Sequence, residues 1–100
     1  MNYKYVMHEE AVKDLVEAYL WYEKQREGLG GEFLSAIQNI VLRISLNPEV
    51  FAERSNRKYR EATVRKFPYS VVFSVYKRKK EIFISSVHHH KRDPYKKYRA

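Results

Sequence analysis

Cysteine is absent from these 100 residues, which excludes disulfides, thiolate metal sites and a cysteine nucleophile. Long apolar runs are missing too. The longest, Ala18 to Tyr22, falls far short of the roughly 20 residues that cross a bilayer as a helix. The opening Met1-Asn2-Tyr3-Lys4-Tyr5 lacks the basic segment and apolar core of a secretory signal. The acids are scattered, so no paired-carboxylate site is visible. Gly28-Leu29-Gly30-Gly31 precedes a helical pattern but follows no strand, which argues against a nucleotide-binding fingerprint. What is present suffices for a core. With 44% hydrophobic residues, a domain of this size hides roughly 65% of its unfolded surface. The expectation is one soluble cytoplasmic domain spanning residues 1–100.

The charge is unevenly placed. The chain carries a net +8, but residues 1–53 hold five basic and nine acidic side chains, whereas residues 54–100 hold fifteen basic and three acidic. The second half is therefore at +12. Such asymmetry points to a polyanionic partner: nucleic acid, an acidic protein segment or an anionic surface.

Periodicity divides the chain. Tyr3 to Met7 reads as a short strand. From Glu9 to about Arg26, Ala11, Leu15, Ala18 and Tyr22 recur at helical spacing, with Val12, Tyr19 and Trp21 widening the stripe. A second helix, about Gly31 to Leu46, has Phe33, Ile37, Ile40, Val41 and Ile44 on its apolar face and stops at Asn47-Pro48. Glu49 to Lys58 reads as a polar loop. Beyond it the period falls to two. Tyr59–Lys66 places Ala62 and Val64 on one side and Glu61, Thr63 and Arg65 on the other. Tyr69–Tyr76 places Val71, Phe73 and Val75 opposite Ser70, Val72, Ser74 and Tyr76. In Glu81–Val87, Ile82 and Ile84 alternate with Phe83, Ser85 and Val87. Lys77 to Lys80 forms a charged hairpin tip. The expected fold is α/β of the α+β kind, β-α-α-β-β-β, an antiparallel sheet with a helical hairpin packed on one face. The other face, carrying Arg65, Ser74 and Tyr76, is expected to be wet and to form a shallow cationic groove.

Several local patterns, in order, resemble the RelE/ParE superfamily of toxins from bacterial type II toxin–antitoxin systems. They are Ala11-x-x-Asp14-Leu15 with Tyr19-x-Trp21-Tyr22-Glu23, then Gly30-x-x-Phe33 and Asn47-Pro48. Arg65-Lys66-Phe67-Pro68-Tyr69-Ser70-Val71-Val72-Phe73 follows, and finally Ile84-x-x-Val87-x-His89-x-Lys91-Arg92-Asp93-Pro94. The wording around Trp21-Tyr22-Glu23 and His90 to Pro94 looks closer to the ParE-like branch. The resemblance implies a small toxin wrapped by a cognate antitoxin, with no cofactor. ParE-like members block DNA gyrase; RelE-like members cleave messenger RNA on the ribosome without a metal.

Metal-free RNA cleavage needs a phosphate clamp and groups that move protons. Arg65, whose fork matches two phosphate oxygens, and a histidine from His88 to His90 are the candidates. Strand alternation places His88 and His90 on one face and His89 on the other. Adjacent strand residues diverge, so no metal site is expected there. The family's nucleases set basic and aromatic groups near the C-terminus, which adds Tyr95 and Lys91. For target or nucleic-acid binding the candidates are Arg54, Arg57, Lys58, Lys91, Arg92, Lys96 and Lys97. A disordered acidic antitoxin segment would neutralise the basic half, anchored on Leu20, Trp21 and Leu29. A harmless nucleic-acid-binding module is the remaining reading.

Overall fold

The computed structural model describes residues 2–54 and 58–92. Its elements are β1 (Lys4–Met7), α1 (Glu9–Gln25), α2 (Leu29–Leu46), a 3-10 turn (Pro48–Val50), β2 (Ala52–Arg54), β3 (Tyr59–Thr63), β4 (Tyr69–Tyr76) and β5 (Glu81–His89). The sheet has five strands in the order β1-β5-β4-β3-β2. β3, β4 and β5 form the expected antiparallel meander, β2 adds to it at the edge of β3, and β1 lies parallel to β5, with Val6 opposite Phe83. A parallel pair needs a long crossover, and the helical hairpin begins it. Both helices cover one sheet face, as the sequence predicts. Among the described residues no helix is long and apolar enough to cross a membrane.

Each helix starts on a local device. The His8 side chain caps α1, its Nδ1 accepting the Glu10 N–H at 3.0 Å. Acidic Glu9 and Glu10 then sit at the positive end of the helix dipole. The second helix begins two residues earlier than its apolar pattern predicts. Gly28, at φ +89°, turns the chain, and the Glu23 carboxylate accepts the N–H groups of Gly28 and Gly30, both at 2.9 Å. These donors would otherwise be orphans of the helix terminus. Gly30 is also needed for space, since a Cβ there would lie 2.8 Å from the Glu23 carboxylate and from the Tyr19 ring.

The core lies between hairpin and sheet, around Phe33, Ile37, Ile44, Val71, Phe73, Ile82, Ile84 and Val87. Ala11 and Ala18 face it from α1, which turns Val12 and Trp21 outward to 44% and 57% exposure. Helical spacing alone places both on the core stripe, whereas the antitoxin reading requires Trp21 to be exposed. The small alanines let α1 approach the sheet closely and so set which side is inward.

Four expectations about the sheet require correction. Part of the loop at Glu49–Lys58 is strand, because β2 pairs with β3 through Ala52↔Glu61 and Arg54↔Tyr59. Val87 faces the helices with Ile84 rather than away from them. Val72 pairs with Ser86 but Phe73 with Ile84, so Ser85 is an extra residue, and such a bulge shifts the alternation by one. Arg65 is not on a strand. β3 ends at Thr63, and Arg65 and Lys66 form the turn to β4, with Lys66 at φ +70°.

The fourth correction concerns the face away from the helices, which is not a wet groove along its centre. Ser70, Val72, Ser74, Ser86 and His88 are all buried there. The signal was the consecutive run Val71-Val72-Phe73, since a strand covered on both faces loses its alternation. Tyr76, at the strand end, does stay half exposed.

Candidate functional site

Two clefts flank the helical hairpin, one on each side of an aromatic cluster. In that cluster Phe33 lies 5.2 Å from Tyr22, 5.3 Å from Phe67 and 5.0 Å from Tyr69, centroid to centroid. Tyr22 lines the first cleft and Phe67 the second.

The first cleft, about 1050 Å³, opens between α1 and the ends of β4 and β5. Asp14, only 6% exposed, holds its base. One carboxylate oxygen accepts the Val87 N–H at 3.1 Å, and the other faces the Arg92 guanidinium at 3.5 Å. Opposite stand Tyr69 and His89, their rings edge to face at 4.9 Å. Burial, with Tyr22 next, pushes the Tyr69 phenol above its ordinary value, so it remains a proton donor at neutral pH. Burial, followed by His90, Lys91 and Arg92, holds His89 below the usual imidazole value, so it is neutral there. Its Nδ1 accepts the Lys91 N–H at 3.0 Å, which leaves the ring proton on Nε2. Trp21 and Leu20, both more than half exposed, form the outer wall.

The lowered imidazole value has a measurable consequence. Where the folded pKa lies below the unfolded one, about 6.5, stability is unaffected at higher pH. It is lost as pH falls through 6.5, because the unfolded chain takes up the proton more readily. The melting temperature of the parent protein should therefore drop further between pH 7.5 and pH 5.5 than that of His89→Gln. Equal drops in the two proteins would contradict the partial desolvation of this ring.

The second cleft, about 810 Å³, lies between α2 and the β3–β4 turn. Arg43, Arg65 and Lys66 line it together with Ser35, Asn39 and Thr63. Glu32 is there too, but its carboxylate is tied to Arg26 at 3.0 Å.

The residues singled out for chemistry are thus dispersed. Arg65 belongs to the second cleft. His88 is buried, 5% exposed, in the row of Thr63 and Ser70. His90 is exposed, with Nε2 3.0 Å from the Ser70 hydroxyl. Of the three histidines offered as proton carriers, His89 is the one that lines the first cleft. Alternation had separated it correctly from its neighbours. Which set faces the helices depended on the bulge at Ser85, which leaves no pattern in the sequence. Arg54 ends β2 and donates to the Glu53 carbonyl at 3.0 Å, and Lys58 sits 5.9 Å over the Tyr59 ring. Lys91 is exposed beside Arg92. Arg57, Tyr95, Lys96 and Lys97 lie outside the described residues. Of the proposed antitoxin anchors, Leu20 and Trp21 are exposed, while Leu29 is half-buried at the start of α2. Val12 and Val16 continue the Leu20 row at four-residue spacing, 44% and 49% exposed.

Two helices packed on one side of a mostly antiparallel sheet make a small α+β fold, with an acidic first half and a basic second half. The chain belongs to the ParE toxin family of type II toxin–antitoxin systems (parDE), whose model matches residues 5–94. Among solved structures it is similar to a chain of the chromosomal ParDE system from P. aeruginosa. That match has 22% identity and a TM-score of 0.73, over 87% of this chain and 95% of the other. It is also similar to a mutant E. coli RelE toxin in the free state, at 19% identity and a TM-score of 0.69, covering 91% and 86%. A second structure, of the isolated E. coli RelE toxin, gives 18% and 0.60, covering 93% and 89%. At these identities the likeness is one of fold. No curated protein matches the chain.

Proposed function

We propose that this toxin arrests growth inside the cell by binding DNA gyrase, and that an acidic antitoxin segment holds it inactive. The supporting observation is the dispersal of the groups that RNA cleavage requires. A phosphate clamp and its proton-transfer partners must converge within hydrogen-bond reach of one scissile group. Among the described residues, Arg65 stands beside α2, whereas His89 stands beside α1 in the other cleft. His88 is enclosed in the sheet. Inhibition by binding makes no such demand on geometry.

The antitoxin reading rests on two surfaces. The exposed row Val12, Val16 and Leu20 with Trp21 suits the apolar side of an amphipathic segment. The basic second half attracts its acidic side. Induction of the chain alone should stop growth while transcript 5′ ends stay unchanged, and co-expression of the antitoxin should restore growth. Codon-phased cuts that vanish with Arg65→Ala would overturn gyrase binding in favour of ribosome-dependent cleavage.

A further inference from the structure

We infer that the cleft between α2 and the β3–β4 turn is a seat for the phosphodiester backbone of a nucleic acid. Three cations, Arg43, Arg65 and Lys66, line it. Among the described residues neither Arg65 nor Lys66 has a carboxylate partner. The charge of Glu32 is offset by Arg26 at 3.0 Å. Ser35 and Asn39 add short, exposed hydrogen-bonding side chains, of the types that contact phosphate and sugar oxygens. Lys66 occupies left-handed backbone, φ +70°, where an L residue other than glycine or asparagine is disfavoured.

The placing of the cations suits a regular polyanion such as a nucleic-acid backbone. Cations stand at both ends of β3, Lys58 before it and Arg65 beyond it. β3 has 5 residues at about 3.3 Å each, so roughly 16 Å of strand lies between these two cations. Phosphates recur about every 3.4 Å of axis along one strand, so several fall within that span whatever the base sequence. Phe67, the ring in the cleft, is half-buried against the aromatic cluster and presents no open stacking platform. Recognition would therefore be of backbone rather than bases.

The test uses the purified full chain, labelled duplex DNA of arbitrary sequence and single-stranded RNA of equal length, each titrated with salt by fluorescence anisotropy. Neither probe requires gyrase, so failure here is separable from failure of gyrase inhibition. With three phosphate contacts the slope of log K against log salt should be about −2.7 on duplex DNA or about −2.1 on single strands. Arg65→Gln/Lys66→Asn should weaken binding about tenfold or more and, on the duplex, bring the slope about 1.8 nearer zero. Asparagine is chosen because it tolerates the left-handed backbone. The charge-matched control Arg78→Gln/Lys79→Gln, at the β4–β5 tip, should leave both quantities unchanged.

Binding of either nucleic acid with this pattern supports the assignment, and the better-bound probe identifies the source of the backbone. Equal losses in both double variants would show attraction to net charge and overturn it. Binding of neither probe would overturn it too, as would a cleft occupied only by an acidic peptide such as oligoglutamate. Circular-dichroism melts of the two variants keep a folding defect from passing as lost contact.

Discussion

Phe33→Ala is expected to destabilise the protein by about 3–5 kcal/mol, the largest effect of any single replacement considered. Phe33 is fully buried and its ring meets those of Tyr22, Phe67 and Tyr69. It therefore joins both helices to the β3–β4 turn, and no neighbour can swing in without abandoning a second contact. Cavity formation adds to the lost transfer energy at such a site. Total stability for a domain this size is only about 5–15 kcal/mol, so the variant would be marginal. The melting temperature should fall by more than about 12 °C. Phe33→Leu, which refills most of the volume, should lose much less. A loss below about 1.5 kcal/mol for the alanine variant would mean that the cluster packs loosely.

Asp14→Ala is the second large effect, expected at about 1–3 kcal/mol. The reason is the difference between its bonds to Val87 and to Arg92. Its bond from the Val87 N–H, at 3.1 Å, is enclosed, and removing the acceptor leaves a buried donor unsatisfied. The Arg92 partner is 43% exposed, so that contact contributes little through solvent. Asp14→Asn keeps an oxygen for the Val87 N–H and should retain most of the stability. Denaturant melts of the pair separate the two roles. If asparagine costs as much as alanine, charge rather than the hydrogen bond holds α1 to β5.

The helical hairpin and the three consecutive antiparallel strands were legible because each has a local cause. Gly28 and Asn47-Pro48 mark the helix ends, and Phe67-Pro68 with Lys77–Lys80 mark the strand ends. What escaped has a non-local cause. β2 consists of three exposed residues, Ala52, Glu53 and Arg54, and exists only because β3 offers it an edge. The bulge at Ser85 belongs to the pairing of two strands rather than to either one, and it decides that Val87 and His89 face the helices. The same limit governs the site. Residue type singled out Arg65 and the histidines, but a turn that starts two residues after Thr63 places Arg65 in another cleft. The long-range bond between Asp14 and Val87 could not be read from one sequence at all.

The proposal of a toxin that inhibits by binding rests on the dispersal of Arg65, His88 and His89. Purified gyrase, relaxed plasmid and increasing amounts of the chain test this most directly, with programmed ribosomes assayed in parallel. The account predicts dose-dependent loss of supercoiling, reversed by the antitoxin, while ribosome-bound messenger RNA stays whole. Undiminished supercoiling at large molar excess of toxin, accompanied by cut messenger RNA, would contradict it.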